Sequence, residues 1–106
     1  MPRPAIHPGE ILADELEELS MTCTELARQI KVPTNRITQI VQGKRSISGD
    51  TALRLGHWFG TSAQFWLNLQ SAYDIRVAEQ QAGAEIARLP TRAARPPNQE
   101  RRVAGR

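Results

Sequence analysis

Four short polar side chains near the middle of the chain have the types and the spacing needed to hydrogen-bond to DNA bases. Successive helical residues are rotated by about 100°, and this rotation collects amide and hydroxyl groups on one face of residues 34–42. The candidate base-contacting residues are Thr34, Asn35, Thr38 and Gln39. Asn and Gln pair bidentately with adenine, and Thr bonds to base edges or touches the thymine methyl group. The alternative is the ordinary solvated face of an amphipathic helix.

Two short helices joined by a tight turn are expected to position this face. Thr22 and Glu25 have the spacing of a capping box, which satisfies backbone N–H groups in the first turn of a helix. This helix should end shortly before Pro33, which suits the first position of the next one. Lys31 stands in the turn, where glycine would be easiest, and Gly43 is the expected left-handed end of the second helix. The pattern predicts a helix-turn-helix, whose second helix lies in the major groove.

Charge is segregated along the chain. Residues 1–27 have one basic side chain against six acidic ones, whereas residues 28–54 have six basic side chains against Asp50 alone. A run of charge is usually only a solvated face, but this basic block coincides with the predicted groove helix and the loop after it. Arg36 borders the polar face and could reach guanine or phosphate, and Lys44 and Arg45 follow the helix directly. Contacts of such cations with phosphates supply affinity that is independent of sequence and sensitive to salt.

The remaining apolar periodicity predicts an all-α fold of five helices. The other three helices are expected over residues 8–19, from Ser48 or Asp50 to Phe59, and for about twenty residues from Ser62 to near Gly83. A broad apolar arc on the last helix is formed by Phe65, Trp66, Leu69, Ala72, Tyr73 and Val77. One side of a small bundle does not need so much apolar surface, so we expect a dimer interface that includes Trp66, Leu69, Tyr73 and Val77. The alternative is that these residues close the core of the monomer.

Composition limits the other possibilities. A chain of 106 residues, 40% of them hydrophobic, allows one domain with a modest core. No apolar run is long enough for a membrane span or a secretory leader, and the single Cys23 excludes an internal disulfide. We therefore expect a cytoplasmic protein. His7 and His57 lack partners at metal-ligand spacing, and no phosphate-binding or catalytic motif is present, so we expect no enzymatic activity, metal or cofactor.

The composition changes after Leu89. Residues 90–106 contain three prolines and five arginines against a single Glu100. This segment predicts a basic, flexible tail attached to a domain formed by residues 1–89. The tail could add non-specific affinity for nucleic acid, bind an acidic partner, or simply keep the chain soluble.

Six segments of the sequence, taken in order, form a specific pattern. They are residues 7–12 (HPGEIL), 24–27 (TELA), 32–37 (VPTNRI), 40–48 (IVQGKRSIS), 50–55 (DTALRL) and 59–74 (FGTSAQFWLNLQSAYD). Together they resemble the HigA-type antitoxins of the Xre/lambda-repressor-like helix-turn-helix family, and the resemblance covers residues 6 to about 80. Lys31, in place of the usual turn glycine, and the basic tail depart from that pattern.

The resemblance implies a lambda-repressor-like domain of five helices that dimerises through its last helix. It also implies binding to an operator upstream of the protein's own operon, repression of that operon, and neutralisation of a HigB toxin, a small RelE-like ribonuclease that cleaves messenger RNA. By position, the base-contacting residues are those given above, and the phosphate-contacting residues are Thr22, Thr24, Arg28, Gln42, Lys44 and Arg45. Trp66 and Tyr73 match the pairing helix.

Two other functions stay open at this point. The chain could be a stand-alone repressor with the same DNA chemistry and no toxin partner, or a protein-interaction module in which the helix-turn-helix no longer binds DNA. The acidic first helix, from Glu10 to Glu18, is a candidate surface for a basic toxin.

Overall fold

The computed structural model describes residues 4–92, and this range contains five helices and no strand. They are α1 (Pro8–Glu18), α2 (Cys23–Ile30), α3 (Thr34–Val41), α4 (Gly49–Phe59) and α5 (Ala63–Ala87). The predicted all-α class and the five helices are confirmed. Within residues 4–92, no helix combines the length and the apolar character needed to cross a bilayer. Most of the predicted tail, residues 93–106, lies outside the described residues.

Local capping rules account for most of the helix starts. The caps of α1, α2, α4 and α5 are the side chains of His7, Thr22, Ser48 and Ser62, each of which accepts a backbone hydrogen bond. The predicted capping box is present, since the Glu25 N–H donates to Thr22 Oγ1 over 3.1 Å and the Thr22 N–H donates to Glu25 Oε1 over 2.8 Å. The hydrogen bond from the Thr22 backbone is the main reason why the pKa of the Glu25 carboxyl lies below its usual value.

The turn between α2 and α3 has the predicted shape without a glycine. Lys31 lies in the left-handed region, with φ 60° and ψ 53°. Arg54 of α4 supports the turn, because its Nη1 donates to the Ile30 carbonyl over 2.8 Å and lies 3.5 Å from the Lys31 carbonyl. Pro33 is the N-cap of α3 rather than its first residue, so the prediction for this proline was wrong by one position. Gly43, with φ 76°, adopts the left-handed conformation expected after α3.

A single core joins the five helices. Its buried apolar members are Leu12, Leu16, Leu26, Ala27, Ile30, Ile37, Ile40, Ile47, Ala52, Leu55 and Trp66. The contribution of α3 consists of Ile37 and Ile40, which are completely buried. Since one face of this short helix is fixed in the core, the opposite face is directed to solvent.

The last helix is longer than the sequence indicated. It has 25 residues and continues through Gly83 to Ala87. The prediction placed its end near Gly83, because glycine is a poor helix former. The neighbours of Gly83 are mostly Ala, Glu and Gln, which favour a helix strongly enough to carry it past one glycine.

Trp66 belongs to the core of the monomer, so its predicted place in a dimer interface was wrong. Only 1% of the residue is exposed, and its Nε1 donates to Thr61 Oγ1 over 3.0 Å. Such a side chain offers almost no surface to a second copy. The other three residues predicted at the interface, Leu69, Tyr73 and Val77, are half-buried.

The first and third helices approach each other at Gly9. A Cβ atom at this position would overlap the carbonyl oxygen of Ile40 and lie 2.8 Å from the carbonyl carbon. Glycine is therefore required here by the closeness of the two backbones. The contact sets the distance between the N-terminus of α1 and the C-terminal end of α3.

We expect the Gly9→Ala substitution to lower the free energy of unfolding by about 1–3 kcal/mol, the usual range for overpacking in a core. The reason is that backbone, rather than a flexible side chain, occupies the space that the new methyl group needs. Gly49→Ala is the matched control, since a Cβ there meets nothing within 4 Å. Urea unfolding followed by circular dichroism measures both. Equal stability of the two variants would show that α1 can move away from α3 without loss.

Candidate nucleic-acid interface

The polar face of α3 lies at the surface. Thr34 and Asn35 are exposed, and Thr38 and Gln39, one turn later, are half-buried. The Thr38 hydroxyl donates to the Thr34 carbonyl over 3.1 Å, so its oxygen can still accept a bond. Among the described residues, the side-chain amides of Asn35 and Gln39 form no hydrogen bond. Both amides are therefore available to an external donor or acceptor.

The start of α3 is open as well. Its N-cap, Pro33, provides no side-chain hydrogen bond, so the first N–H groups of the helix are not capped. Helix N-termini carry a partial positive charge and unpaired N–H groups, which attract anions such as phosphate.

The loop after α3 presents two exposed cations on a defined backbone. The Gly43 N–H donates to the Ile40 carbonyl over 2.9 Å, and the Lys44 N–H donates to the Gln39 carbonyl over 2.8 Å. Within residues 4–92, neither Lys44 nor Arg45 forms an ion pair. Their charges are therefore free to meet an external anion.

Two other basic residues of the same block are already paired. Asp50 Oδ2 accepts from Arg36 Nη1 over 2.8 Å and from Arg54 Nε over 3.0 Å. The hydrogen bond from Arg54, followed by that from Arg36, holds the pKa of the Asp50 carboxyl below its usual value. Arg36 was predicted to contact phosphate, and the structure shows that it must first leave or share Asp50. The spacing of Asp50 and Arg54 is a local signal for an ion pair, whereas nothing local links Arg36 to Asp50.

The other predicted phosphate-contacting residues lie at the surface. Thr22, Thr24, Arg28 and Gln42 are all exposed. Thr22 Oγ1 is already an acceptor in the capping box, but its hydroxyl hydrogen can still be donated to a phosphate.

Two buried polar residues that the sequence analysis left out of the site border the loop after α3. His7 is 7% exposed, and its Nδ1 accepts from the Gly9 N–H over 2.9 Å. Burial lowers the pKa of the His7 imidazole, against the carboxylates of Asp74 and Glu10, which raise it. Gln70 is 5% exposed and accepts from the backbone of the loop. The signal for Gln70 was its position four residues after Trp66, which puts a polar side chain on the buried face of α5.

The described part of the chain has no obvious metal centre. In residues 4–92, no group of three or more His, Cys, Asp or Glu side chains is arranged to hold a metal ion. The chemistry that this surface offers is hydrogen bonding and positive charge.

Known proteins resemble this chain over most of its length, although no protein-family model matches it. Virulence-associated protein I of Dichelobacter nodosus is 51% identical over 78 residues, which cover 73% of this chain and 72% of that protein. A solved HigA-family addiction-module antidote protein from Coxiella burnetii is 52% identical, with a TM-score of 0.83 over 85% of this chain and 99% of that one. The Pseudomonas aeruginosa antitoxin HigA, solved with the higBA promoter, is 44% identical, with a TM-score of 0.82 over 86% of this chain and all of that one.

We expect Asp50→Ala to make DNA binding more sensitive to salt. Alanine offers no acceptor, so the substitution releases Arg36, whereas Arg54 keeps its hydrogen bond to the Ile30 carbonyl. With a mixed-sequence DNA duplex, the slope of log K against log salt concentration should steepen by about one, the value for one added phosphate contact.

The control for this experiment is Glu79→Ala on α5. It changes the net charge by the same amount and removes the partner of Arg76, 3.8 Å away. The slope should not change. If both substitutions steepen it equally, the effect is one of net charge, and Arg36 does not face the phosphates.

Proposed function

Because the chain belongs to the HigA family of antitoxins, within the Xre/lambda-repressor-like helix-turn-helix regulators, we propose that it binds operator DNA through α3 and represses its own operon. We further propose that it neutralises a HigB-type ribonuclease toxin. The observation that carries the DNA-binding proposal is the outward amide-and-hydroxyl face of α3, followed by two cations, Lys44 and Arg45, that form no ion pair within residues 4–92. We expect the protein to act in the cytoplasm, where the operator is, and to do so by binding alone, without a catalytic step.

The proposed contacts divide into two groups. Thr34, Asn35, Thr38 and Gln39 contact base edges, because their amide and hydroxyl groups match donors and acceptors in the major groove. Phosphates are contacted by Thr22, Thr24, Arg28, Arg36, Gln42, Lys44 and Arg45, which lie at the N-cap of α2, on α2, on α3 or in the loop after α3. The first group supplies specificity, and the second supplies position and salt-dependent affinity.

We expect the double substitution Asn35→Ala and Gln39→Ala to weaken binding to the operator at least tenfold, because each good base contact contributes about 1–3 kcal/mol of discrimination. The operator is obtained by selection of a randomised duplex with the wild-type protein. Binding to a mixed-sequence duplex should change little, since the phosphate contacts remain. Gel-shift titration measures both affinities.

Gln64 and Asn68 offer a matched control on α5, where they bond to each other over 3.0 Å. The double substitution Gln64→Ala and Asn68→Ala removes the same two residue types from an exposed surface and should leave operator affinity unchanged. Full operator affinity of the Asn35→Ala and Gln39→Ala protein would remove α3 from base recognition and favour the protein-interaction module.

The proposed dimer interface lies on the part of α5 that has no partner within residues 4–92. Ile75 and Ile86 are 61% and 54% exposed and line one shallow apolar surface together with Ala78 and Gly83. The half-buried Leu69, Tyr73 and Val77 lie on a different face of α5 and are proposed to contribute to the same interface. An apolar helix surface of this kind is typical of a protein interface, and a dimer would present two copies of α3 to two DNA half-sites.

The proposed toxin-binding surface is the acidic side of α1. Glu10, Asp14, Glu17 and Glu18 are exposed, and no ion pair within residues 4–92 involves them. These charges complement a toxin that binds RNA and is therefore basic. The alternative function, a stand-alone repressor, needs the same α3 surface but no toxin partner, so the two differ in what the neighbouring gene encodes.

Co-expression with a neighbouring RelE-like reading frame, followed by size-exclusion chromatography with light scattering, tests dimer and toxin together. We expect a dimer of the chain alone and a larger complex when the toxin is present.

Ile75→Glu together with Ile86→Glu should give a monomer, because two buried charges would enter the interface. Leu53→Glu, at an apolar residue of α4 that is 66% exposed, should stay dimeric. If the dimer forms but no toxin co-purifies, the stand-alone repressor is the better description.

A further inference from the structure

We propose that Gln70 of α5 is a positioning residue for DNA binding, which holds the backbone that presents Lys44 and Arg45. The inference rests on the proposed DNA-binding function. It adds a residue that does not itself reach DNA, since Gln70 is buried and only 5% exposed.

All polar atoms of the Gln70 side chain have a defined partner. Its Oε1 accepts from the Ile47 N–H over 2.8 Å, and its Nε2 donates to Asp74 Oδ1 over 3.0 Å and to Ser46 Oγ over 3.4 Å. An ionised carboxylate can only accept hydrogen bonds, so Asp74 fixes which end of the amide carries the NH₂ group. The Gln70 oxygen is thereby directed to the loop backbone.

The loop after α3 is fixed on both sides of its two cations. At the start of the loop, the N–H group of Gly43 and that of Lys44 itself donate to carbonyls of α3. After them, the buried Ile47 is held by Gln70, and the next residue, Ser48, caps α4. Lys44 and Arg45 therefore lie on a short stretch of backbone whose two ends are tied to different helices.

This arrangement matters for affinity, because Lys44 and Arg45 have no ion pair of their own within residues 4–92 to hold them in place. They are therefore held in place through the backbone that carries them, to which the His7 imidazole also bonds at Arg45. A loop that is ordered before binding loses less conformational entropy when its cations meet phosphates, and affinity rises accordingly. Without Gln70, the Ile47 N–H would be left buried without a partner, and the loop would have to move to satisfy it.

A merely structural Gln70 would give a different result. It would satisfy one buried donor and stabilise the fold, and its loss would lower the melting temperature without changing how the folded protein binds DNA. The salt dependence of binding separates the two roles, because its slope counts the phosphates that are neutralised.

The test compares Gln70→Leu with Gln64→Leu, the same change at an exposed position of α5. Binding to a mixed-sequence duplex is measured over a range of salt concentrations, at a temperature where circular dichroism shows each variant to be folded. We expect Gln70→Leu to bind on the order of tenfold more weakly, as for the loss of one charge-assisted hydrogen bond between a loop cation and a phosphate. The slope of log K against log salt concentration should become shallower by about one to two, because fewer phosphates are neutralised. Gln64→Leu should match the wild type.

A double-mutant cycle makes the assignment specific. In a Lys44→Ala and Arg45→Ala background, Gln70→Leu should have no further effect on affinity or slope, because the cations that it positions are gone. Independent, additive losses would overturn the proposal, as would a Gln70→Leu protein with wild-type affinity and slope.

A second pair of variants keeps the test decisive if Gln70→Leu does not fold. Asp74→Ala removes the acceptor that orients the amide and leaves Gln70 in place, so it should reduce the slope in the same direction. Asp74→Asn has the same net charge as Asp74→Ala but keeps an acceptor oxygen for the Gln70 NH₂ group, so its slope should lie closer to the wild-type value. Equal slopes for these two variants would contradict the proposal. A wild-type protein that binds no duplex would overturn the proposed function itself. If the wild type binds DNA and the Gln70 and Asp74 variants have its affinity and slope, only the role of Gln70 is overturned.

Discussion

The proposed DNA-binding surface depends on the packing of a helix too short to be stable alone. Isolated helices of fewer than about 12–15 residues are marginal in water, and α3 has only eight residues and no side-chain cap. Its order comes from the burial of Ile37 and Ile40 and from the close approach of α1 at Gly9. Since the buried face supplies the stability, the outer face can consist of amides and hydroxyls that do not contribute to the core.

Charge on this surface is set by pairing as well as by composition. The basic block of residues 28–54 has six cations in the sequence, but Asp50 engages two of them, Arg36 and Arg54. The cations of the loop after α3 have no such partner within residues 4–92. Positive charge without an ion pair is therefore present in the loop after α3, whereas the cation at the border of the amide face, Arg36, is paired. In the proposed function, Asp50 therefore lowers the non-specific attraction of this surface to DNA without touching the bases.

Features encoded by local spacing could be predicted from the sequence. The capping box of Thr22, the left-handed Lys31 and Gly43 and the five helices all follow from rules that act over a few residues. The paired state of Arg36 depends instead on a residue 14 positions away. The partners of Gln70 in the loop lie 23 and 24 positions away, and no helical period reveals them.

The fifth helix shows where periodicity fails. An apolar arc identifies the side chains whose burial is favourable, but it does not show whether each is buried by its own chain or by a second copy. Trp66 and Phe65 both belong to this arc, yet the first is enclosed by its own chain and the second is 42% exposed. The difference depends on the packing of the other helices around Trp66, which the periodicity of α5 does not contain.

The support that Arg54 gives to the turn of the helix-turn-helix has an evolutionary consequence. The Arg54 guanidinium bonds both to Asp50, on the same helix, and to the Ile30 carbonyl at the end of α2. The next residue, Lys31, lies 23 positions before Arg54 and occupies a left-handed backbone conformation suited to glycine. A relative with glycine at that turn does not need the hydrogen bonds from Arg54, whereas a relative with a bulky residue there does. Positions 31 and 54 should therefore covary, and a homologue with a different residue at one of them is expected to differ at the other as well.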